Sequence, residues 1–406
     1  MQHVDHIDHR TLYRLPWSLP DNAISWLEPT SACNLACDGC YRENVASSHK
    51  PLLTVRAEIE RFLKLRNADG ISIAGGDPLM HPGIVEIVRT VAELGVKPII
   101  NTNGGRLTKE MIRDLKHAGA VGFTFHVDSK QGRPGWKEKD EVALNDLRLE
   151  FAELVAEVGG MSCSFNSTVY EDTLQYTSDL VEWAGRHIDI VQGMVFILYR
   201  AAAPQLPFDW YAGGKKIDMS ALVYSESQER RVDLKSTDVV AEIRKRFPDF
   251  TPSAYLNGTE KPDSFKWLLS GRIGTTRKTY GYVGPKFMEV IQTSHHLATG
   301  RYLAYARPRL TSLGRSMLLL GVLDAPVRRT AGRYMASVLA NPLRLFKGLH
   351  YQSIMIIQPV DFLDNGLQNM CDGCPDMTLW NGELVWSCRM EELKQFGCWV
   401  RTVPLS

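Results

Sequence analysis

Glu28-Pro29-Thr30-Ser31-Ala32-Cys33-Asn34-Leu35-Ala36-Cys37-Asp38-Gly39-Cys40-Tyr41 is the stretch that decides how the rest of the chain is read. Its three cysteines stand at C-x3-C-x2-C spacing directly after a short apolar run, Ala23–Leu27, that reads as a strand. Thiolates are the usual protein ligands of iron–sulfur clusters. Three of them on a four-iron cluster leave one iron open, and an open metal position lets a second molecule ligate directly. The alternative for these thiols is zinc, which needs a fourth ligand; His49 is the nearest candidate.

Working outward, strand-like and helix-like patterns alternate from residue 21 to residue 200. Apolar runs predict strands at Ala23–Leu27, Ile71–Ala74, Pro98–Asn101, Val121–Val127, Ser162–Val169 and Ile188–Leu198. Helical periodicity falls between them, at Val55–Leu65, Ile84–Leu94, Lys109–His117, Ala143–Val158 and Leu174–Arg186. Thr108 is placed to N-cap the third helix, Gly119 follows its end, and Gly159 and Gly160 stop the fourth. Repeated βα units with short connections predict parallel strands and right-handed crossovers. The expected fold class is α/β: a partial (β/α)6 TIM-like barrel with a small Cys-rich C-terminal domain. Such barrels carry their chemistry on loops at the C-terminal ends of the strands, which is where the three cysteines fall.

Other strand ends add polar groups to the same rim. The second strand runs into Ala74-Gly75-Gly76-Asp77-Pro78, where glycines permit close backbone approach to a ligand. The third ends Asn101-Thr102-Asn103-Gly104. Alternation along the fourth puts Val121, Phe123, Phe125 and Val127 on one face and Thr124, His126 and Asp128 on the other. His126 and Asp128 are thus candidate catalytic residues, for substrate or ribose contact, with a hydrogen-bonded structural role as the alternative. The fifth strand puts Ser162, Ser164, Asn166 and Thr168 inward, and leaves Cys163 to pack as a small apolar residue. On the sixth, Gln192 is expected to face inward together with Met194.

The cysteine spacing and the GGDP turn together resemble the radical S-adenosylmethionine (SAM) superfamily. The resemblance covers roughly residues 24–200. It implies a [4Fe–4S] cluster on Cys33, Cys37 and Cys40 whose open iron chelates SAM, with one electron cleaving SAM to methionine and a hydrogen-abstracting 5′-deoxyadenosyl radical. It also implies cofactor contacts from Gly75, Gly76, Asp77, Pro78, Asn101, Asn103, Asn166 and Gln192, and a reducing partner such as flavodoxin or ferredoxin. One residue departs from the family pattern. The position before the third cysteine is often aromatic in the family; here it is Gly39, and Tyr41 follows instead.

Eight cysteines divide into the three above, Cys163, and the group Cys371, Cys374, Cys388 and Cys398. The last four read as a second metal site: a [4Fe–4S] cluster, a structural zinc or a mononuclear iron. Placed after such a barrel, they resemble the shortened SPASM, or twitch, domains that hold an auxiliary [4Fe–4S] cluster. The expected organisation is an N-terminal tail (1–20), the core barrel (21–200), an irregular and helical substrate- or lipid-facing region (201–360) and a twitch-like domain (361–406). Within the third region, residues 301–350 carry nine Lys or Arg against one acid, Asp324, together with apolar helical runs at Met317–Leu323 and Tyr334–Leu345. They read as a solvated basic helix pair or as a surface for an anionic lipid or phosphate-bearing substrate.

The net charge of +1 gives no reason to expect nucleic acid as a partner. A polar N-terminus without signal-peptide character, and apolar runs too short to span a bilayer, predict a cytoplasmic enzyme with at most peripheral membrane contact. The resemblance implies hydrogen abstraction from a small-molecule or lipid-type organic substrate, leading to oxidation or C–C bond formation. A peptide-modifying maturase is the second reading, lowered because only about 20 residues precede the first strand. A cobalamin-dependent methyltransferase is disfavoured for want of an upstream cobalamin domain. A non-catalytic iron–sulfur electron carrier is the third reading.

Overall fold

The structure, a computed structural model, describes residues 7–405; residues 1–6 of the expected tail lie outside the described residues. Six strands, β1 (Ile24–Leu27), β2 (Gly70–Ile73), β3 (Lys97–Thr102), β4 (Gly122–His126), β5 (Ser162–Val169) and β6 (Gly193–Leu198), form the repeat. They alternate with α1 (Leu52–Leu65), α2 (Ile84–Glu93), α3 (Lys109–His117), α4 (Asn145–Val158) and α5 (Thr177–Arg186). Each strand pairs in parallel with the next. Thr108 caps α3 by accepting from the Met111 N–H, and Gly159 ends α4 at a φ of 69°. β6 starts later than its apolar pattern suggests, because a turn that returns the Ile190 and Val191 N–H groups to the His187 carbonyl precedes it.

The sheet continues past β6 into the stretch expected to be irregular and helical. After β7 (Phe208–Ala212) and α6 (Ser236–Arg246) come β8 (Ala254–Leu256), β9 (Trp267–Thr275), β10 (Lys278–Tyr282), α7 (Pro285–Thr299), α8 (Ala325–Ala340) and β11 (His350–Ile357). β11 pairs in parallel with β6, β9 runs antiparallel to β11, and β8 and the short strand Tyr13–Arg14 extend the edge. Strands buried on both faces lose the polar/apolar alternation that reveals strands in a sequence; every residue from Trp267 to Gly274 is buried. The sheet curls without hydrogen-bonded closure. Ile24 of β1 meets Ala254, Leu256, Trp267 and Leu269 in one apolar cluster.

Outside the sheet, Phe123, Phe125 and Phe165 pack beneath α4 and α5 with Cys163 fully buried among them, as the alternation predicts. Met194 faces this same outer core instead of the interior, because β6 points Gly193, Val195 and Ile197 inward. In the basic region α8 starts at Asp324, whose carboxylate accepts from the Val327 N–H, and stops before Pro342. The Met317–Leu323 run forms only short helical turns. The chain ends with α9 (Met390–Phe396) and β12 (Arg401–Pro404), which pairs with β7 in a separate small sheet.

Candidate iron–sulfur and SAM site

Cys33, Cys37 and Cys40 line one wall of a cavity of about 410 Å³ at the C-terminal ends of the strands. The loop that carries them is built by its own polar groups. Asn44 accepts from the Cys33 N–H at 3.0 Å and donates to the Cys33 carbonyl, and Ser48 accepts from the Ser31 N–H. Tyr170 donates to the Asp38 carbonyl at 2.7 Å, and its ring packs on Tyr199. Gly39 has a φ of +67°, and a Cβ there would lie 2.4 Å from the Tyr199 ring. The aromatic group missing from the position before Cys40 is thus supplied from the end of β6. His49 is held by Thr30 at 2.9 Å and packs against His81, away from the thiols.

Gly75 and Gly76 also line the cavity, but their smallness serves the cysteine loop first. A Cβ on Gly75 would lie 2.1 Å from the Thr30 carbonyl oxygen, and one on Gly76 would lie 2.3 Å from that of Ser31. Asp77 and Pro78 are buried behind the wall. The Asp77 carboxylate accepts from the Leu79 N–H at 2.9 Å, the Thr102 hydroxyl at 2.8 Å and the Asn103 N–H at 2.7 Å, tying the ends of β2 and β3 together. Burial raises its pKa against these donors. Asn103 is similarly committed, donating to Asn34 at 2.7 Å and reaching the Cys33 sulfur at 3.6 Å. Asn101 differs: its Nδ2 is buried without a partner, on the wall of this cavity and of a second one.

His126 Nε2 lies 2.8 Å from Asp128 Oδ2 and 3.0 Å from Thr168 Oγ1, which leaves Nδ1 as the ring nitrogen available to a ligand. Burial works to raise the Asp128 pKa, but His126 and the backbone N–H groups of Lys130 and Thr168 hold it below its ordinary value. Asn166 faces both cavities. Gln192 does not join this group. It lies at the opposite end of the strands, on the second cavity, with its Oε1 accepting from the Cys163 N–H at 2.8 Å.

Cys371, Cys374 and Cys388 line the second cavity, of about 280 Å³. The Cys371 and Cys374 thiols hydrogen-bond each other, which pushes Cys374 upward; burial pushes Cys388 up to about 12. Arg66, buried under this loop, donates to the carbonyls of Cys374 at 2.9 Å and Pro375 at 3.1 Å. Cys398 is carried elsewhere. Gly397 ends α9 in the left-handed region and turns the chain into β12, so Cys398 packs beside Gly213 in the cluster around Trp210 and Ala212.

Residues 27–184 match the family described as the radical SAM superfamily. The chain carries a radical SAM domain. Among curated proteins it is 26% identical over 188 residues to an AdoMet-dependent heme synthase of Oleidesulfovibrio alaskensis, covering 42% of this chain and 46% of that one. It is 31% identical over 106 residues to a GTP 3′,8-cyclase of Alkaliphilus metalliredigens, covering 25% and 33%. The chain thus spans less than half the length of these two relatives. Among solved structures, SuiB of Streptococcus suis overlays at a TM-score of 0.40 and 15% identity, covering 57% of this chain and 46% of that one.

The donor set fits what a radical SAM domain requires. Three soft thiols share one wall, while the nearest imidazoles are engaged by Asp128 and Thr30. Among the described residues no three His, Cys, Asp or Glu side chains converge as they would on a single metal ion. A four-iron cluster distributes its thiolates over separate irons. At the second thiol group, the buried indole N–H groups of Trp17 and Trp267 have no oxygen or nitrogen partner, and both rings pack with Cys371 and Cys374. Buried donors left unpartnered beside thiols suit a cluster whose sulfurs accept hydrogen bonds.

Two arginines escaped the sequence reading. Arg133 is buried beside Cys37 and donates to the carbonyls of Asn103 at 2.6 Å and His126 at 2.7 Å, joining two rim strands. Arg42 ion-pairs with Glu28 and, at 3.5 Å, with Glu391, and donates to Ser387 at 3.0 Å. Neither lies in a recognisable motif; each is a loop arginine that only the tertiary fold explains.

Proposed function

We propose that the chain cleaves SAM reductively at the Cys33–Cys37–Cys40 cluster and abstracts hydrogen from a lipid-type organic substrate. The observation that carries this reading is the junction of the two cavities. Tyr41, Asn101, Thr124, Asn166, Ile197 and Cys388 belong to the walls of both, so a molecule in the inner, mostly apolar cavity abuts the rim where the thiols stand. When bound, the cluster supplies the electron for SAM cleavage. The chain's own residues position the reactants. Arg133 and Asp77 fix the rim strands, Asn103 orients the cysteine loop, and His126 and Asn166 present polar atoms at the junction. Asn101 offers an unpaired N–H to a ligand there. Cys371, Cys374 and Cys388 are the thiols grouped for an auxiliary cluster, with the neighbouring indoles as donors.

The test is anaerobic reconstitution followed by dithionite and SAM. The wild type should release 5′-deoxyadenosine, and changing Cys33, Cys37 and Cys40 to Ala should reduce release to background. Release that survives this change would refute the reading.

A further inference from the structure

TIM-like barrels fill their interiors with bulky branched side chains. This one does not. Beside Val195 and Ile197, inward positions on its strands include the small or polar Ser72, Thr124, Ser162, Ser164, Gly193 and Ser353, and a cavity of about 280 Å³ lies over them. The opposite wall is apolar. It comes from β9 and α7, including Leu269, Phe287, Met288 and Ile291, and is closed by a segment that contains Thr311 and Met317.

That closing segment has a second side. Leu310, Leu313 and Leu319 alternate with the cavity-facing residues and are 50%, 47% and 76% exposed. The exposure continues through Val322 and Leu323 to Leu339, Leu343 and Phe346. Of the twenty exposed large apolar side chains among the described residues, ten fall between Leu310 and Phe346. Scattered exposed apolar residues are ordinary; this concentration marks an interaction surface.

Charge identifies what the surface meets. The only acid of residues 301–350, Asp324, is buried, accepting from the N–H groups of Gly284 and Phe287 at 3.0 Å and Val327 at 2.9 Å. Of the nine basic residues, Arg333 alone pairs with a carboxylate, Asp249, among the described residues. Arg307, Arg309, Arg315, Arg328, Arg329 and Lys347 are exposed. Exposed apolar side chains interleaved with unneutralised cations complement an anionic bilayer surface, where the apolar groups enter the acyl boundary and the cations meet phosphates. Among the described residues no helix is long and apolar enough to cross a membrane.

We propose that residues 308–346 dock on an anionic membrane and that the segment 308–317 is the doorway through which the apolar chain of a membrane lipid enters the barrel interior. One layer of chain separates the docking face from the cavity, and the cavity's far end is the thiol-bearing rim. The inference rests on the reading of a lipid-type substrate under Proposed function and names the route by which it arrives.

Flotation of the full chain with phosphatidylcholine vesicles, with and without phosphatidylglycerol, tests the docking. Binding should require phosphatidylglycerol. It should fall at least tenfold in Leu319→Ser/Val322→Ser/Leu323→Ser, and separately in Arg309→Glu/Arg328→Glu/Arg329→Glu. All these side chains are exposed, so folding is not at stake, and Leu343→Ser/Phe346→Ser gives an independent second variant. Binding indifferent to lipid charge or to all three variants would overturn the proposal. So would a dimer that the same variants abolish, in the absence of vesicle binding. The doorway is tested with phosphatidylglycerol carrying a photoreactive group at its acyl terminus. Crosslinks at Met288, Ile291 and Met317 are expected, and crosslinks confined to the outer face would overturn it. None of these readouts depends on SAM cleavage. A protein that binds and crosslinks but releases no 5′-deoxyadenosine would refute the functional reading and leave the docking intact.

Discussion

Cys33, Cys37 and Cys40 lie within eight residues on one loop, whereas Cys371, Cys374 and Cys388 reach their shared cavity from two segments separated by the β-hairpin Met377–Trp386. The first group is organised by near neighbours in sequence: Asn44 and Ser48 hold the loop's backbone, and Gly75 and Gly76 allow it to lie against β2. The second is organised from a distance, by Arg66 under the 371–375 loop and by Arg42 beside Ser387. A local ligand set announces itself by spacing. A set assembled across the fold depends on buried groups that spacing does not show.

The largest effect should come from breaking the second group alone. Cys388→Ser should lower reconstituted iron from about eight per chain to about four, measured by iron and sulfide analysis, while 5′-deoxyadenosine release persists at the first group. A variant that loses all iron would show the two groups are not separable, and the comparison would fail.

Arg42 is the bolt between the two groups. Two residues beyond Cys40, its guanidinium is nearly fully buried between Glu28 and Glu391, and Ser387, which precedes Cys388, donates to the same Glu28 oxygen at 2.9 Å. Removing one partner leaves buried charge uncompensated, so Arg42→Met should cost about 3–5 kcal/mol, read as a lower denaturant midpoint. Glu391→Gln, which keeps the Arg42–Glu28 pair, should cost less. Equal losses would mean that the contact to α9, and not the buried pair, holds the two groups in place.

Gly75→Ala probes the first group. The φ of +111° and the Thr30 carbonyl 2.1 Å from the added methyl both oppose it. Backbone atoms cannot step aside as a flexible side chain would, so about 1–3 kcal/mol of destabilisation is expected. Iron retention should weaken at the N-terminal group only. Loss at both groups would show that the rim loop is not the self-contained unit described above.

Much of this was legible before any coordinates. Residues 21–200 announced their βα units because helical and strand periodicities are local, and His126, Asp128 and Asn166 were placed on the inward face by alternation alone. β9 and β11 were not legible: burial on both faces removes alternation, and their pairing to β6 and to each other spans long sequence distances. The GGDP turn was found for a partly different reason than its geometry gives. Its glycines yield to the cysteine loop, and its Asp77 stitches β2 to β3. Met194 was misplaced because the pattern merged a turn with the strand that follows it, and one register step in a strand exchanges its faces; Gln192 does line the inner cavity, at the end of the strands away from the thiols.

Cys398 carries the smallest expected effect and the sharpest contrast. By sequence it is the fourth thiol of the C-terminal group. In the fold, Gly397 and the pairing of β12 with β7 draw it into the cluster around Trp210. Cys398→Ser should therefore leave iron content at the wild-type level and cost at most about 1 kcal/mol, as expected for an apolar contact exchanged for a small hydroxyl. Cys388→Ser and Cys398→Ser, one thiol each and ten residues apart, thus separate the two ways of assigning a ligand. If both variants lose the same iron, sequence grouping outranks the fold. If only Cys388→Ser does, the C-terminal site would take its ligands from the thiols that share the cavity.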